Sequence, residues 1–231
     1  MAKRVGAFFD LDSTLLTVNS GSLWIQRERR VGRLTRLQVL EAMVYLIGYR
    51  LNRIDMVEAM AKGLATIRGE REEVLARWTR EWYYAEVAST VAQGARRALF
   101  AHRSAGHQLV LLSMTSPYQA QVVVEHLSLD GAIHTYYELE DGVFTGRPVL
   151  PLCYGEGKVY YAEKYAAEHD IDLDKSYFYT DSASDIPMLE RAGFPRAVNP
   201  DPRLTRVARE RQWPILRWDR GSRRDHALPG L

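Results

Sequence analysis

Two carboxylates stand two residues apart, just after a short apolar segment near the start of the sequence. Asp10 and Asp12 follow Val5–Phe9, and the alternation of side chains along a strand points both carboxylates the same way. Like charges this close are unfavourable without a cation, and a hard divalent cation such as Mg²⁺ prefers oxygen ligands. The pair predicts a metal-assisted site in which one carboxylate is a nucleophile and the other exchanges protons. A helix-capping turn is the alternative.

A second acidic pair follows another apolar segment late in the chain. Asp181 and Asp185 come after Tyr177–Tyr179, in a loop that leads into a helical pattern at Ile186–Arg191. Asp181 is expected to complete the metal shell. Asp185, one helical turn further on, is expected either to bind the metal through a water or to orient other ligands. The alternative is a carboxylate that faces a helix dipole.

Residues that suit a phosphate group follow another predicted strand and open a later helix. Ser113 comes after Leu109–Leu112, and its hydroxyl, together with the backbone N–H groups of Met114 and Thr115, can hold phosphate oxygens. Lys158 opens a helical pattern, so its ammonium can reach the same phosphate near a helix N-terminus. Alone, each residue is more typical of a turn serine or a solvated lysine. The prediction depends on the ordered set.

Short apolar segments alternate with helical patterns along most of the chain. Tyr118–Leu127 and Lys158–His169 are two of these helical patterns. The alternation is typical of an α/β fold with a parallel sheet and crossover helices. Because such sheets bind ligands at the carboxyl ends of their strands, Asp10, Ser113 and Asp181 are expected to converge on one edge.

One long segment, residues 19–91, interrupts this alternation of apolar segments and helical patterns. It has helical periodicity throughout, and we interpret it as an inserted helical cap. The predicted organisation is an α/β core at 1–18 and 92–220, the cap at 19–91 and a flexible tail at 221–231. Asp141-Gly142 stands between β-prone flanks and predicts a small hairpin.

The composition fits a folded protein with a sizeable core. The chain has 231 residues, 46% hydrophobic and 26% charged, with a net charge of +2, which excludes a disordered or fibrous protein and gives no global field for nucleic acid. The single cysteine, Cys153, excludes a disulfide scaffold and a cysteine zinc site. The N-terminus lacks a signal-peptide core, and no segment has the roughly 20 apolar residues that span a bilayer. We expect a cytoplasmic protein without stable membrane insertion.

Four short motifs resemble, in order and setting, those of the haloacid dehalogenase superfamily, and the helical insert resembles the cap of its phosphoserine-phosphatase-like branch. The motifs are Asp10-Leu-Asp12-Ser-Thr, Ser113, Lys158 and Asp181-Ser-Ala-Ser-Asp185. The resemblance extends from about Val5 to Arg217. It implies a Rossmann-like parallel sheet core with an inserted helical cap of the C1 type. Fold and motifs imply a reaction class rather than a substrate.

Carried over residue by residue, the resemblance implies that Asp10 is the nucleophile and forms an aspartyl-phosphate. Asp12 would protonate the leaving alcohol and then activate water, with its backbone carbonyl on Mg²⁺. Asp10 and Asp181 would be the side-chain metal ligands, and Asp185 a near or water-mediated one. The groups that hold the phosphoryl would be Ser113, the Met114 amide and Lys158. The implied function is hydrolysis of a small phosphate monoester.

The sequence leaves the choice of ester open. Phosphoserine phosphatases carry a glutamate shortly after the first motif, whereas this chain offers Asn19, so a zwitterionic ester would be held less well. Tentative further substrate residues are Arg50 and Arg53 in the predicted cap. Phosphoserine, histidinol phosphate and related alcohol phosphates are all admissible.

Other functions compete with hydrolysis of a small ester. The same intermediate permits phosphoryl transfer to an acceptor other than water. The arginine run at Arg27–Arg36 and the apolar stretch Leu37–Leu51 suit a lipid phosphate at a membrane surface, although a solvated helix face and the cap's own core explain them as well. A non-enzymatic polyanion-binding module is disfavoured, because four clustered aspartates suit a metal and phosphate site better than nucleic acid. We expect a monomer or a homodimer.

Overall fold

The computed structural model describes residues 3–37, 39, 40, 44 and 55–218. The tentative substrate residues Arg50 and Arg53, the predicted tail at 221–231 and most of Leu37–Leu51 lie outside the described residues. The elements below are those of the described ranges.

A parallel sheet of six strands forms the centre of the molecule. The described residues form eight strands, six in this sheet and two in a separate pair. In chain order they are β1 (Gly6–Phe9), β2 (Gln108–Leu112), β3 (Gly131–Ile133), β4 (Tyr137–Glu140), β5 (Val143–Pro148), β6 (Tyr177–Thr180), β7 (Phe194–Val198) and β8 (Ile215–Leu216). The sheet order is β3-β2-β1-β6-β7-β8, and β4 and β5 form a separate antiparallel pair. The predicted strands that correspond to β1, β2 and β6 are confirmed. β3 and β8 are only three and two residues long, which is too short for an apolar pattern that would predict a strand.

The structure gives bounds for eight α-helices around and above this sheet. They are α1 (Ser20–Arg30), α2 (Met56–Ala65), α3 (Glu72–Trp82), α4 (Gln93–Ser104), α5 (Pro117–Leu127), α6 (Glu156–Glu168), α7 (Ile186–Arg191) and α8 (Pro202–Glu210). Capping explains several starts: the Ser116 hydroxyl accepts from the Gln119 amide, and Pro117 takes the first helical position. Within the described ranges, none of the helices combines the length and the apolar character needed to cross a bilayer.

Apolar side chains cover both faces of the sheet. Because neighbours along a strand point to opposite faces, Ala7 and Phe9 of β1 belong to one buried cluster and Phe8 belongs to another. Phe9 stacks on Tyr179 of β6, with ring centroids 4.7 Å apart. A sheet buried on both faces is typical of α/β proteins, and it gives the strand ends a rigid support.

The described part of the insert is helical, as predicted. α1 and α3 pack through Trp24 and Trp82, whose ring centroids lie 5.0 Å apart in an edge-to-face contact. The two segments that connect the insert to the sheet run side by side, since the Thr17 amide donates to the Thr90 carbonyl at 2.9 Å. The α/β fold with a parallel sheet and an inserted helical cap therefore matches the sequence prediction.

The predicted hairpin is confirmed, and it lies against the cap. Asp141 and Gly142 connect β4 to β5 with positive φ angles of 51° and 75°, which is the conformation that this turn requires. The loop between α2 and α3 pairs with β5: the Gly69 amide donates to the Phe144 carbonyl at 2.9 Å, and the Phe144 amide donates to the Glu70 carbonyl at 3.0 Å. This pairing joins segments far apart in the sequence, so no local pattern predicts it.

Candidate active site

The carboxyl ends of β1, β2 and β6 meet at one edge of the sheet, as predicted. β1 lies between the other two, with Phe9 in register with Leu111 of β2 and with Tyr179 of β6. Asp10 follows directly, and its backbone N–H donates to the Tyr179 carbonyl at 2.9 Å. The chain connections change direction between β1 and β6, and such switch points are where α/β sheets bind ligands.

Lys158 is buried between two of the predicted carboxylates. Its Nζ lies 2.8 Å from Oδ1 of Asp10 and 2.7 Å from Oδ2 of Asp185. Burial lowers the pKa of an ammonium, but the two carboxylates outweigh it and hold the pKa of Lys158 well above its usual range. Burial raises the pKa of Asp10, and the Lys158 charge acts against this. The lysine therefore keeps its positive charge beside Asp10.

The Asp12 carboxylate is held by the first residue of the cap's first helix. Its Oδ1 accepts a hydrogen bond from the Ser20 amide at 2.8 Å. The intervening turn includes Ser13 at a φ of 57°, a left-handed conformation that bends the chain sharply. Burial raises the pKa of Asp12, whereas the hydrogen bonds from Ser20 lower it. A buried carboxyl of this kind suits proton exchange, and here it also links the core to the cap.

Four carboxylates and one ammonium give the site an excess of negative charge. Burial and the charges of Asp10, Asp185 and Asp12 raise the pKa of Asp181 well above its usual range. In the part of the chain that the structure describes, no three His, Cys, Asp or Glu side chains form a metal site by themselves. Two carboxylates, a backbone carbonyl, waters and a phosphate oxygen nonetheless make a donor set that Mg²⁺ accepts. The residues fit a divalent cation because it relieves the repulsion.

The loop after β2 offers amide donors at the same edge. Ser113 is buried, and its own N–H donates to the Ile133 carbonyl at 3.0 Å. Over the described residues, the amides of Met114 and Thr115 donate to no protein acceptor. Two such amides after a strand end can donate to anionic oxygens. This geometry is compatible with the phosphate-binding role predicted for the loop.

Sequence reasoning missed several residues that position the predicted ones. The Thr180 hydroxyl donates to Asp185 Oδ2 at 2.6 Å, on the same oxygen that Lys158 contacts. Asp201 accepts from the Ala183 amide at 2.7 Å and so fixes the loop between Asp181 and Asp185. Asp201 also caps α8, and the Asp-Pro pair at 201–202 is the one sequence signal that marks it.

The structure gives the tentative substrate residues other partners or does not describe them. Asn19 caps α1, and its Oδ1 accepts from the amide of Ser22 at 2.9 Å. Its substrate role remains a prediction, as do the roles of Arg50 and Arg53 outside the described residues.

Part of the arginine run at Arg27–Arg36 binds within the cap rather than facing an anion. Arg27 and Arg33 pair with Glu28, which is buried, and the Arg33 guanidinium stacks on the Trp78 ring. Arg30 pairs with Glu86. These contacts give the three arginines partners within the cap.

Comparison with known proteins assigns the chain to a family. Residues 7–190 match the family described as haloacid dehalogenase-like hydrolase. Phosphoserine phosphatase SerB1 of Mycobacterium tuberculosis is 34% identical over 215 residues, which cover 90% of this chain and 69% of that protein. The histidinol-phosphatase of Neisseria meningitidis is 28% identical over 215 residues, 91% of this chain and 97% of that one.

Solved structures share the fold. A protein of unknown function from Bordetella pertussis superposes with a TM-score of 0.83 at 28% identity, over 93% of this chain and 99% of that chain. A phospho-aspartyl intermediate analogue of phosphoserine phosphatase superposes with a TM-score of 0.69 over 95% of each chain. Its identity to this chain is 20%, so this second likeness concerns the fold alone.

Proposed function

Since the chain belongs to the haloacid dehalogenase-like hydrolases, we propose that it hydrolyses a small phosphate monoester through an aspartyl-phosphate on Asp10, with Mg²⁺ as its cofactor. Within that family, it is a phosphoric monoester hydrolase, in line with its relatives named as phosphatases. The observation that carries the proposal is the 2.8 Å contact between Lys158 Nζ and Asp10 Oδ1. This contact places the proposed nucleophile, Asp10, beside the proposed phosphate-binding ammonium of Lys158.

In the first proposed step, a carboxylate oxygen of Asp10 attacks phosphorus and the bond from phosphorus to the alcohol oxygen breaks. Asp12 gives its proton to the departing alcohol oxygen. The Lys158 ammonium and the amide of Met114 neutralise charge on the phosphoryl oxygens. Charge stabilisation by positioned donors is the main contribution that a protein makes to phosphoryl transfer.

In the second proposed step, water attacks the phosphorus of the aspartyl-phosphate. Asp12, now ionised, takes a proton from this water, and the bond between phosphorus and the Asp10 oxygen breaks. Inorganic phosphate leaves and both carboxyl groups return to their starting states. The support for this double role is the raised pKa of Asp12 and the Ser20 amide that holds its carboxylate.

The proposed Mg²⁺ would be held by the carboxylates of Asp10 and Asp181 and by the backbone carbonyl of Asp12. When bound, it supplies positive charge that holds and polarises the phosphoryl oxygens. Asp185 was predicted either to bind through a water or to orient other groups. The contacts of its Oδ2 with Lys158 and Thr180 favour the orienting role.

The proposed setting follows the sequence prediction. We propose that residues 19–91 act as the cap over a core formed by 1–18 and 92–220, and that the enzyme works in the cytoplasm as a monomer or homodimer on a small molecule. Phosphoserine and histidinol phosphate are candidate substrates, because relatives carry the corresponding names.

The test is phosphate release from a panel of monoesters that includes phosphoserine, histidinol phosphate, sugar phosphates and a lysophosphatidic acid. Each ester is assayed with Mg²⁺ and with EDTA. We expect metal-dependent turnover that Asp10→Asn lowers by about 10³-fold or more, because the nucleophile is lost. Acid quenching followed by mass spectrometry should find one phosphoryl group on Asp10. Added acceptor alcohols show whether water is the only acceptor.

A matched control is Asp170→Asn, which removes one carboxylate at an exposed turn with a φ of 55°. Asparagine tolerates that conformation, so turnover should stay within about twofold of wild type. Full activity in Asp10→Asn would contradict the proposed nucleophile. Turnover of no ester, by a folded protein that binds Mg²⁺, would contradict the proposed reaction.

A further inference from the structure

An apolar cleft lies between the cap and the loop that leads to Lys158. It is open to solvent on one side, and its volume is about 620 Å³. Two cap residues at the start of α2 form one wall, and the loop before α6 forms the other. The lining residues are Met56, Val57, Leu150, Pro151, Leu152, Tyr154 and Gly157.

The cleft adjoins the phosphate end of the site. Gly157 immediately precedes Lys158, whose Nζ contacts Asp10 at 2.8 Å. The Tyr154 side chain lies close to Ser184, in the loop between Asp181 and Asp185. A phosphate held beside Lys158 would therefore have its alcohol group within reach of the cleft.

The core wall of the cleft is rigid. A side chain at Gly157 would place its Cβ 1.9 Å from the Leu152 carbonyl oxygen, so the loop closes on itself as tightly as glycine allows. Leu152 and Cys153 are buried, and the Cys153 amide donates to the Thr135 hydroxyl at 3.2 Å. A preformed wall costs little ordering entropy when a ligand binds.

Among the residues that the structure describes, those that line the cleft have no charge. Within the described chain, Tyr154 contributes the only polar side chain to this lining. An ammonium or a carboxylate of an amino-acid ester would lose its hydration here without a counter-charge, which is unfavourable. A hydrocarbon would lose only unfavourable contact with water.

Apolar surface continues outward from the cleft. Val57 is 41% exposed, Leu150 is 59% exposed and their neighbour Val149 is 41% exposed. A hydrocarbon that fills the cleft can therefore extend along this rim. Each CH₂ group it buries should raise the affinity by about two- to fourfold.

We propose that this cleft binds the hydrocarbon part of the leaving alcohol, so that the preferred substrates are phosphate monoesters of apolar alcohols. This inference rests on the proposed phosphatase function and specifies its substrate class. We infer this occupant because the described lining of the cleft is uncharged and the cleft adjoins the phosphate end of the site.

The test compares ethyl, butyl, hexyl and octyl phosphate as substrates, and the matching alkyl phosphonates as non-hydrolysable ligands in calorimetry. We expect kcat/KM and the affinity for the phosphonate to rise by about two- to fourfold per methylene until the cleft is filled. Leu150→Gln keeps the side-chain length and adds polarity, and it should lower the octyl-to-ethyl ratio at least fivefold. Phe100→Gln, at a 70% exposed position on α4, should leave the ratio unchanged.

The two proposals fail in different ways. Hydrolysis of all four esters with a flat dependence on chain length, or a ratio that Leu150→Gln does not change, would overturn the apolar subsite and leave the phosphatase intact. Chain-dependent binding of phosphonates without hydrolysis of any ester would support the subsite and overturn the proposed reaction. Phosphonates that bind with one affinity whatever their length would overturn the subsite even without turnover.

Discussion

Nζ of Lys158 lies 2.8 Å from Oδ1 of Asp10, although the two residues are 148 positions apart in the sequence. The pair is buried, and Asp185 contacts the same ammonium from the other side. One lysine therefore balances two carboxylates in a place that water does not screen well. This relationship connects the stability of the site to its proposed chemistry.

Replacing Lys158 by methionine should destabilise the protein when no divalent cation is present. The substitution leaves Asp10 and Asp185 buried without their ammonium, and such a loss typically costs about 3–5 kcal/mol. Urea unfolding in EDTA should show this loss, and added Mg²⁺ should recover part of it, since a bound cation stabilises the folded state. Lys164→Met, at an exposed position of the same helix, is the control. Equal unfolding midpoints for both variants would contradict the prediction.

Thr180 should be a positioning residue for Asp185. Its buried hydroxyl donates to Asp185 Oδ2 at 2.6 Å, and a missing donor on a buried carboxylate costs about 1–3 kcal/mol. We expect Thr180→Val to lower kcat by about tenfold with little change in KM, because the ammonium beside the reacting phosphate loses its alignment. Thr180→Ser restores the hydroxyl and should recover most of kcat. If serine and valine behave alike, the hydrogen bond has no such role.

The elements that carry the site could be predicted because their patterns are local. The strands that precede Asp10, Ser113 and Asp181 are short apolar segments, and a parallel sheet places their ends at one edge. Asp141-Gly142 predicted the hairpin for the same reason, since the required positive φ angles depend on those two residues.

The contacts that position the site could not be predicted, because they join distant parts of the chain. Asp12 was weighed as a proton donor or a helix cap, and its carboxylate does hold the first amide of α1 at Ser20. Asn19 was considered for substrate binding, which stays a prediction, and its side-chain oxygen also caps that helix. Asp201 binds the Ala183 amide across 18 residues, which no spacing rule describes.

The two segments that connect the cap to the core should become more protected when a phosphate mimic binds. Thr17–Gly21 and Thr90–Gly94 are the segments expected to act as hinges, because they join the cap to the core, and the structure places them side by side. The amides of Thr17 and Ala92 donate to the carbonyls of Thr90 and Leu15, both at 2.9 Å, so they report directly on this pairing. Closure of a cap over a bound anion excludes water and slows local opening.

Hydrogen exchange with and without orthovanadate and Mg²⁺ measures this protection. We expect slower exchange at the Thr17 and Ala92 amides in the wild type. We expect no change in Asp10→Asn, because this variant lacks the carboxylate on which the mimic should bind. Unchanged exchange at the two segments in the wild type, while vanadate inhibits turnover, would argue against hinge motion.

Stability should fall with acid because of His102, a buried histidine on α4. His102 is fully buried, with Nδ1 2.8 Å from Nδ1 of His107 and Nε2 2.8 Å from the Tyr179 hydroxyl. Burial, followed by the charges of His107 and Arg196, lowers the pKa of His102 to about 3.

In the unfolded chain, the His102 ring takes up a proton near pH 6.5, whereas in the folded protein it does not. The free energy of unfolding should therefore decrease by about 1.4 kcal/mol per pH unit from this group as the pH falls from about 6 towards 3. His102→Gln should make that decrease shallower by up to about 1.4 kcal/mol per pH unit. Urea unfolding at several pH values measures the slopes, and parallel curves for His102→Gln and wild type would show that His102 is not the responsible group.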